Sequence, residues 1–145
     1  MKTWVYDDGG RADEGYRGRT GDCVVRAIAI ATELPYKQIY DLVNEFGQSE
    51  RVTRRRIKKG RSSASSGVYK ATVRRILDNL GWVWTPTMHI GSGCTVHLKA
   101  SELPKGRLIV QASKHLVAVI DGVIHDTHDP SRRGTRCVYG YWKKG

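Results

Sequence analysis

The sequence predicts an α+β fold in which N-terminal helices, one of them central and buried, pack on a C-terminal antiparallel β-sheet. Three observations lead there. Apolar residues recur at helical spacing as far as Leu80, and extended, alternating runs take over from Trp82. Asp121-Gly122, set between two such runs, marks a two-residue hairpin. At 145 residues the chain has the length of one domain with its own core, and residues 1–145 show neither an internal repeat nor a domain boundary.

Residues 1–19 are glycine-rich and charged and read as an irregular lead-in with at most one short strand. From Cys23 to Thr32 only Arg26 and Thr32 are polar, so this helix is apolar nearly all round and belongs in the middle of the domain. Asp22 is a good N-cap residue and places Cys23 in the first turn. Pro35 opens a second helix, with Ile39, Leu42, Val43 and Phe46 on one face and Gly47 as its stop. Residues 48–66 read as a basic, mobile, solvated loop. A third helix runs from Val68 to Leu80 and closes at Gly81. Strands are expected at 82–87, 95–99, 107–111, 115–120, 123–127 and 136–142.

No apolar run approaches the roughly 18 to 20 residues that a membrane span needs. The N-terminus lacks the apolar core of a signal peptide, and the three cysteines are odd in number. Both features point to a reducing cytoplasm, free thiols and no membrane partner. The net charge of +11 is concentrated. Arg51, Arg54, Arg55, Arg56, Lys58, Lys59 and Arg61 form a run with no acidic residue, and without them the chain carries +4.

The chemistry-bearing residues are a cysteine at a helix start and a histidine on a hairpin about ninety residues later. A free thiol with a pKa of about 8.5 is mostly protonated at neutral pH. The helix N-terminus favours the thiolate, and its N–H groups suit an oxyanion. Asp22 next door opposes the thiolate, so a partner imidazole is required. A two-residue turn at Asp121-Gly122 sets Ile120 opposite Val123, Val119 opposite Ile124 and Ala118 opposite His125. Alternation then places His115, Val117, Val119, Ile124, Asp126 and His128 on one face. Asp126 becomes the diagonal neighbour of His115, roughly 7 Å away between backbones and within side-chain reach. The register therefore selects Asp126 as the carboxylate that orients the imidazole.

The order Cys, His, Asp, with Gly21-Asp22-Cys23 heading an apolar helix, His115-Leu116-Val117-Ala118-Val119 and Asp126-Thr127, resembles the papain-like cysteine peptidase superfamily. The likeness is nearest to its compact bacterial and phage-encoded members. It implies a single papain-like domain over 1–145, with Cys23 as nucleophile, His115 as general base and then acid, and Asp126 as orienter. It further implies hydrolysis of a peptide, isopeptide or related amide bond through an acyl-thioester, with no cofactor. In that family a glutamine a few residues before the cysteine completes the oxyanion hole. Residues 1–22 hold neither Gln nor Asn, which leaves Arg17, Arg19, Thr20 and Gln111 as candidate donors.

Cys94-Thr95-Val96-His97 and His125-Asp126-Thr127-His128 carry the two-residue gap of zinc sites. On strands that offset points the ligands to opposite faces, so no metal is expected. Cys137 reads as a core residue, and Trp4, Trp82, Trp84 and Trp142 as sheet packing. The basic run has the composition of a polyanion contact, for an acidic peptide or protein substrate or for non-specific nucleic acid. It defines the alternative function, an inactive papain-like fold that binds nucleic acid or protein through its arginines.

Overall fold

A helix that is apolar on every side must be enclosed, and that demand organises the fold. The computed structural model describes residues 3–16, 21–50, 60–89 and 91–145. Helix α1 (Cys23–Thr32) buries every residue from Val24 to Ala31 except Arg26. It lies against the sheet on one side and helix α2 (Tyr36–Gln48) on the other, with α3 (Lys70–Asn79) packed against both α2 and the sheet. The strands are β1 (Trp4–Tyr6), β2 (Trp82–Pro86), β3 (Arg107–Ala112), β4 (His115–Ile120), β5 (Val123–Asp126) and β6 (Val138–Lys144). They form one sheet in the order β1-β5-β4-β3-β6-β2.

The α+β class is therefore as expected, but the sheet is mixed. Five strands are antiparallel neighbours, and β1 joins the edge parallel to β5, with Tyr6 opposite Asp126. The hairpin register is the one that the turn rule requires: Ile120↔Val123, Val119↔Ile124 and Ala118↔His125. Asp121 and Gly122 both have positive φ, 49° and 81°, as the favoured two-residue turn demands. Alternation splits the core into two layers. Leu116 and Ala118 face the helices, while Val117, Val119 and Ile124 pack on the opposite face with Leu98, Leu108 and Val138.

Several expectations fail for physical reasons. Residues 95–99 make no strand and contribute a single bridge, His97 to Cys137. Beside that bridge a disulfide joins Cys94 to Cys137, so Cys23 is the free cysteine. Three free thiols are not present, so the cysteines no longer point to a reducing compartment. Gly47 does not stop α2. It is buried inside the helix because the carbonyl of Ser62 packs where a side chain would lie.

The described part of the 48–66 segment is solvated only in part: Gln48, Ser49, Gly60, Arg61, Ser65 and Ser66 are exposed, but Glu50, Ser62 and Ala64 are packed inside. Glu50 is buried and its Oε1 accepts from Ser62 N at 2.8 Å, while Asn44 Oδ1 accepts from Ala64 N at 2.8 Å. Trp82 and Trp142 do pack the sheet, the latter 4.2 Å from Trp84 between ring centroids. No described helix is long and apolar enough to cross a membrane.

Candidate active site

Cys23, His115 and Asp126 come together because each stands at an end of its element, on the same edge of the molecule. Cys23 begins α1, His115 begins β4, and Asp126 ends β5. His115 follows a tight turn in which Lys114 has φ 57°. Gln111 fixes that turn by donating both amide hydrogens, to Ala112 O at 2.9 Å and to His115 O at 3.2 Å. Gln111 is thereby removed from the candidate oxyanion donors, since neither of its hydrogens remains to give. Arg17, Arg19 and Thr20 lie outside the described residues.

The imidazole N–H at Nε2 donates to Asp126 Oδ2 at 2.7 Å. This leaves Nδ1 uncommitted, and His115 and the backbone N–H of Leu116 both act on the Cys23 sulfur to lower its pKa. Asp126 Oδ1 accepts from Thr127 N at 2.7 Å and from Arg26 Nη2 at 3.2 Å.

The ionisation states follow from these contacts. Burial opposes the Cys23 thiolate, yet the bonds from His115 and Leu116 and the charges of His115 and Arg26 outweigh it, so the thiol pKa is lowered. Burial likewise opposes the imidazolium, but Asp126 and Cys23 together lift His115 from 6.5 to about 9. Asp126 is buried too, and His115, Thr127 N–H and Arg26 more than compensate, holding its carboxyl below the ordinary range. All three shifts run in the direction that favours a thiolate–imidazolium pair with a carboxylate behind the imidazole.

Asp22 occupies the N-cap position but makes no capping bond with its side chain. Its carboxylate is turned inward, fully buried, and binds Arg26 Nη1, Tyr36 Oη at 2.6 Å and Arg11 Nε at 3.4 Å. The cap is lost for an electrostatic reason: a buried carboxylate gains more from a cation than from one backbone N–H. The consequence is useful, because the first-turn N–H groups beside Cys23 are not consumed by Asp22.

The sequence reading passed over several residues here. Arg26 is 11% exposed at its side chain and bridges Asp22 (0%) to Asp126 (3%). A lone arginine in an otherwise apolar buried helix was the available signal, since such a group needs buried partners. His128 lies over His115, ring centroids 5.5 Å apart, and is 57% exposed. Arg136 reaches the same neighbourhood, held by the carbonyls of Ser113 and Pro130 at 3.2 Å for the latter.

Ligand atoms of His115, Asp126 and His128 lie within 4.8 Å of one another, the spacing of a possible metal set. Both Asp126 oxygens are already engaged, and Arg26 and Arg136 would repel a dication, so the cluster fits hydrogen-bonded ion pairing better. His125 takes no part; its Nδ1 lies 3.1 Å from Asp7 Oδ2. Of the basic run, Arg51, Arg54, Arg55, Arg56, Lys58 and Lys59 lie outside the described residues. Arg61 donates to Gln48 O at 2.5 Å and Glu50 O at 3.1 Å, so its guanidinium caps the end of α2. No protein-family model, curated protein or solved structure matches the chain.

Proposed function

We propose that the protein is a papain-like thiol hydrolase acting on a peptide, isopeptide or related amide bond. The observation that carries this reading is the convergence of Cys23, His115 and Asp126, with Nε2 of the imidazole committed to the carboxylate at 2.7 Å and the imidazole acting on the Cys23 thiol to lower its pKa. The thiolate of Cys23 adds to the substrate carbonyl carbon, and the negative charge moves to the carbonyl oxygen. The N–H groups at the start of α1 stabilise that oxyanion. His115 gives its Nδ1 proton to the leaving amine, the C–N bond breaks, and an acyl-thioester remains on Cys23. Neutral His115 then takes a proton from water as the water oxygen attacks the thioester, and the carboxylic acid product leaves with the thiolate restored. Asp126 holds the ring orientation and favours the imidazolium throughout.

Iodoacetamide alkylation of Cys23 between pH 4 and 9, in wild type and His115→Ala, tests this. Fast labelling that persists below about pH 6 and disappears in the mutant supports the ion pair. A single titration at about pH 8.5 or above, unchanged by the mutation, sinks it and directs attention to polyanion binding by the basic run.

A further inference from the structure

A carboxylate next to a nucleophilic cysteine is a handicap, and the fold contains a counter-measure. Asp22 precedes Cys23 and is fully buried, where an unopposed negative charge would raise the thiol pKa. We propose that Arg26 is a positioning residue: by bridging Asp22 and Asp126 it cancels the charge beside Cys23 and braces the carboxylate that orients His115. The inference rests on the thiol-hydrolase reading and adds a residue to it.

The geometry leaves Arg26 as the group able to do both. Its Nη1 binds Asp22 Oδ1 across one helical turn, and its Nη2 reaches Asp126 Oδ1 at 3.2 Å, a residue 100 positions away in sequence. The forked guanidinium matches two separate acceptors, which an ammonium cannot do. The other groups facing this array do less. Tyr36, from α2, donates a hydrogen bond to Asp22 but brings no charge, since burial and Asp22 keep its hydroxyl protonated. Arg11 approaches one Asp22 oxygen at 3.4 Å. His115 and His128 lie on the Asp126 side, and Arg136 is anchored on backbone carbonyls at Ser113 and Pro130. The bridge also holds the Asp22 side chain away from the N-cap position, which keeps the first-turn N–H groups for sulfur and oxyanion.

The test is the pH profile of iodoacetamide alkylation, read by intact mass, in wild type, Arg26→Met, Asp22→Asn and the double variant, each first checked for a cooperative thermal transition. Cys94 and Cys137 are bonded to each other, so labelling without reductant reports Cys23. In Arg26→Met the apparent pKa of Cys23 is expected to rise by about 1 unit, because Asp22 keeps only the more distant cation of Arg11 and Cys23 loses the nearby charge of Arg26. Removing both charges in the double variant is expected to return it to within about half a unit of wild type, a rescue that a merely structural role would not produce. A folded Arg26→Met with a wild-type profile overturns the proposal. If that variant does not fold, the double variant decides: a profile near wild type supports charge cancellation, and one displaced upward by a unit or more overturns it. A wild type that labels only above about pH 8 instead overturns the thiol-hydrolase reading itself.

Discussion

His115 meets Asp126 through Nε2, not Nδ1, at 2.7 Å, and this choice of nitrogen decides what the ring can do. With Nε2 committed to the carboxylate, Nδ1 is the nitrogen left for the proton exchange with sulfur that the proposed mechanism requires. The hairpin register made the pairing: the turn at Asp121-Gly122 brings the last residue of β5 within reach of the first residue of β4.

Replacing Asp126 by Asn keeps an acceptor for the Nε2 proton and removes the charge. The His115 midpoint, about 9 in the native protein, is then expected to fall by 1 unit or more toward 6.5. An NMR titration of the His115 ring measures it directly. An unmoved midpoint would show that Asp126 does not set the protonation state.

Stability against pH provides a second reading of the ion pair. His115 alone, with its pKa raised, contributes stability that is complete below 6.5 and is lost as pH rises toward about 9. Cys23 alone, with its pKa lowered, contributes stability that is complete above 9.0 and is lost as pH falls through its folded value. Wherever the folded thiol has ionised while the imidazole is still protonated, the unfolded chain holds one proton on sulfur and the folded protein holds one on imidazole. The two slopes cancel there, so the melting temperature of the wild type is expected to be nearly flat from this pair. Cys23→Ala keeps the His115–Asp126 bond but loses the sulfur's share in raising the His115 pKa, so it should instead lose stability as pH rises above 6.5 toward a midpoint below about 9. Parallel curves for the two proteins would mean that the folded sulfur is protonated.

Gly47→Ala reverses the usual sign for a helix. Alanine ordinarily stabilises a helix by about 0.5 to 1 kcal/mol over glycine. Here the added Cβ would lie 2.1 Å from Ser62 O and 3.0 Å from Ser62 C, both of them backbone atoms. Overpacking of this kind costs about 1 to 3 kcal/mol, so a net destabilisation is expected in urea titration. A higher denaturation midpoint would show that the 60–67 turn is free to withdraw.

The Cys94–Cys137 disulfide spans 43 residues and ties an irregular segment to the start of β6. Constraint of the unfolded chain at that loop length is worth about 2 to 4 kcal/mol. Cys94→Ser/Cys137→Ser is expected to melt at a lower temperature than the oxidised wild type, whose transition should itself drop on addition of reductant. Identical transitions with and without reductant would argue against the bond in solution.

What the sequence revealed was governed by local rules. The apolar run after Cys23 specified a buried helix, and Asp121-Gly122 specified the register from which Asp126 was chosen over His125 and Asp121. What it concealed depends on distant partners. The pairing of Trp4–Tyr6 with β5, the Ser62 carbonyl on Gly47, and the Cys94–Cys137 bond join segments that share no periodic signal. Asp22 is the instructive case. Its propensity to cap is a local preference, and it lost to Arg26 and Tyr36, whose burial no short window of sequence displays.

The strand order has a consequence for how the molecule comes into being. β6 lies between β3 and β2, hydrogen-bonded to both, although β2 and β3 precede it in the chain. Until Lys144 has been added, β2 has no neighbour in the sheet and β3 exposes one open edge. The strands that pack on α1 are β3, β4 and β5, which are complete at Asp126, so the late addition of β6 closes the sheet beyond them. Cys23 is made early, and its two partners His115 and Asp126 about ninety residues later.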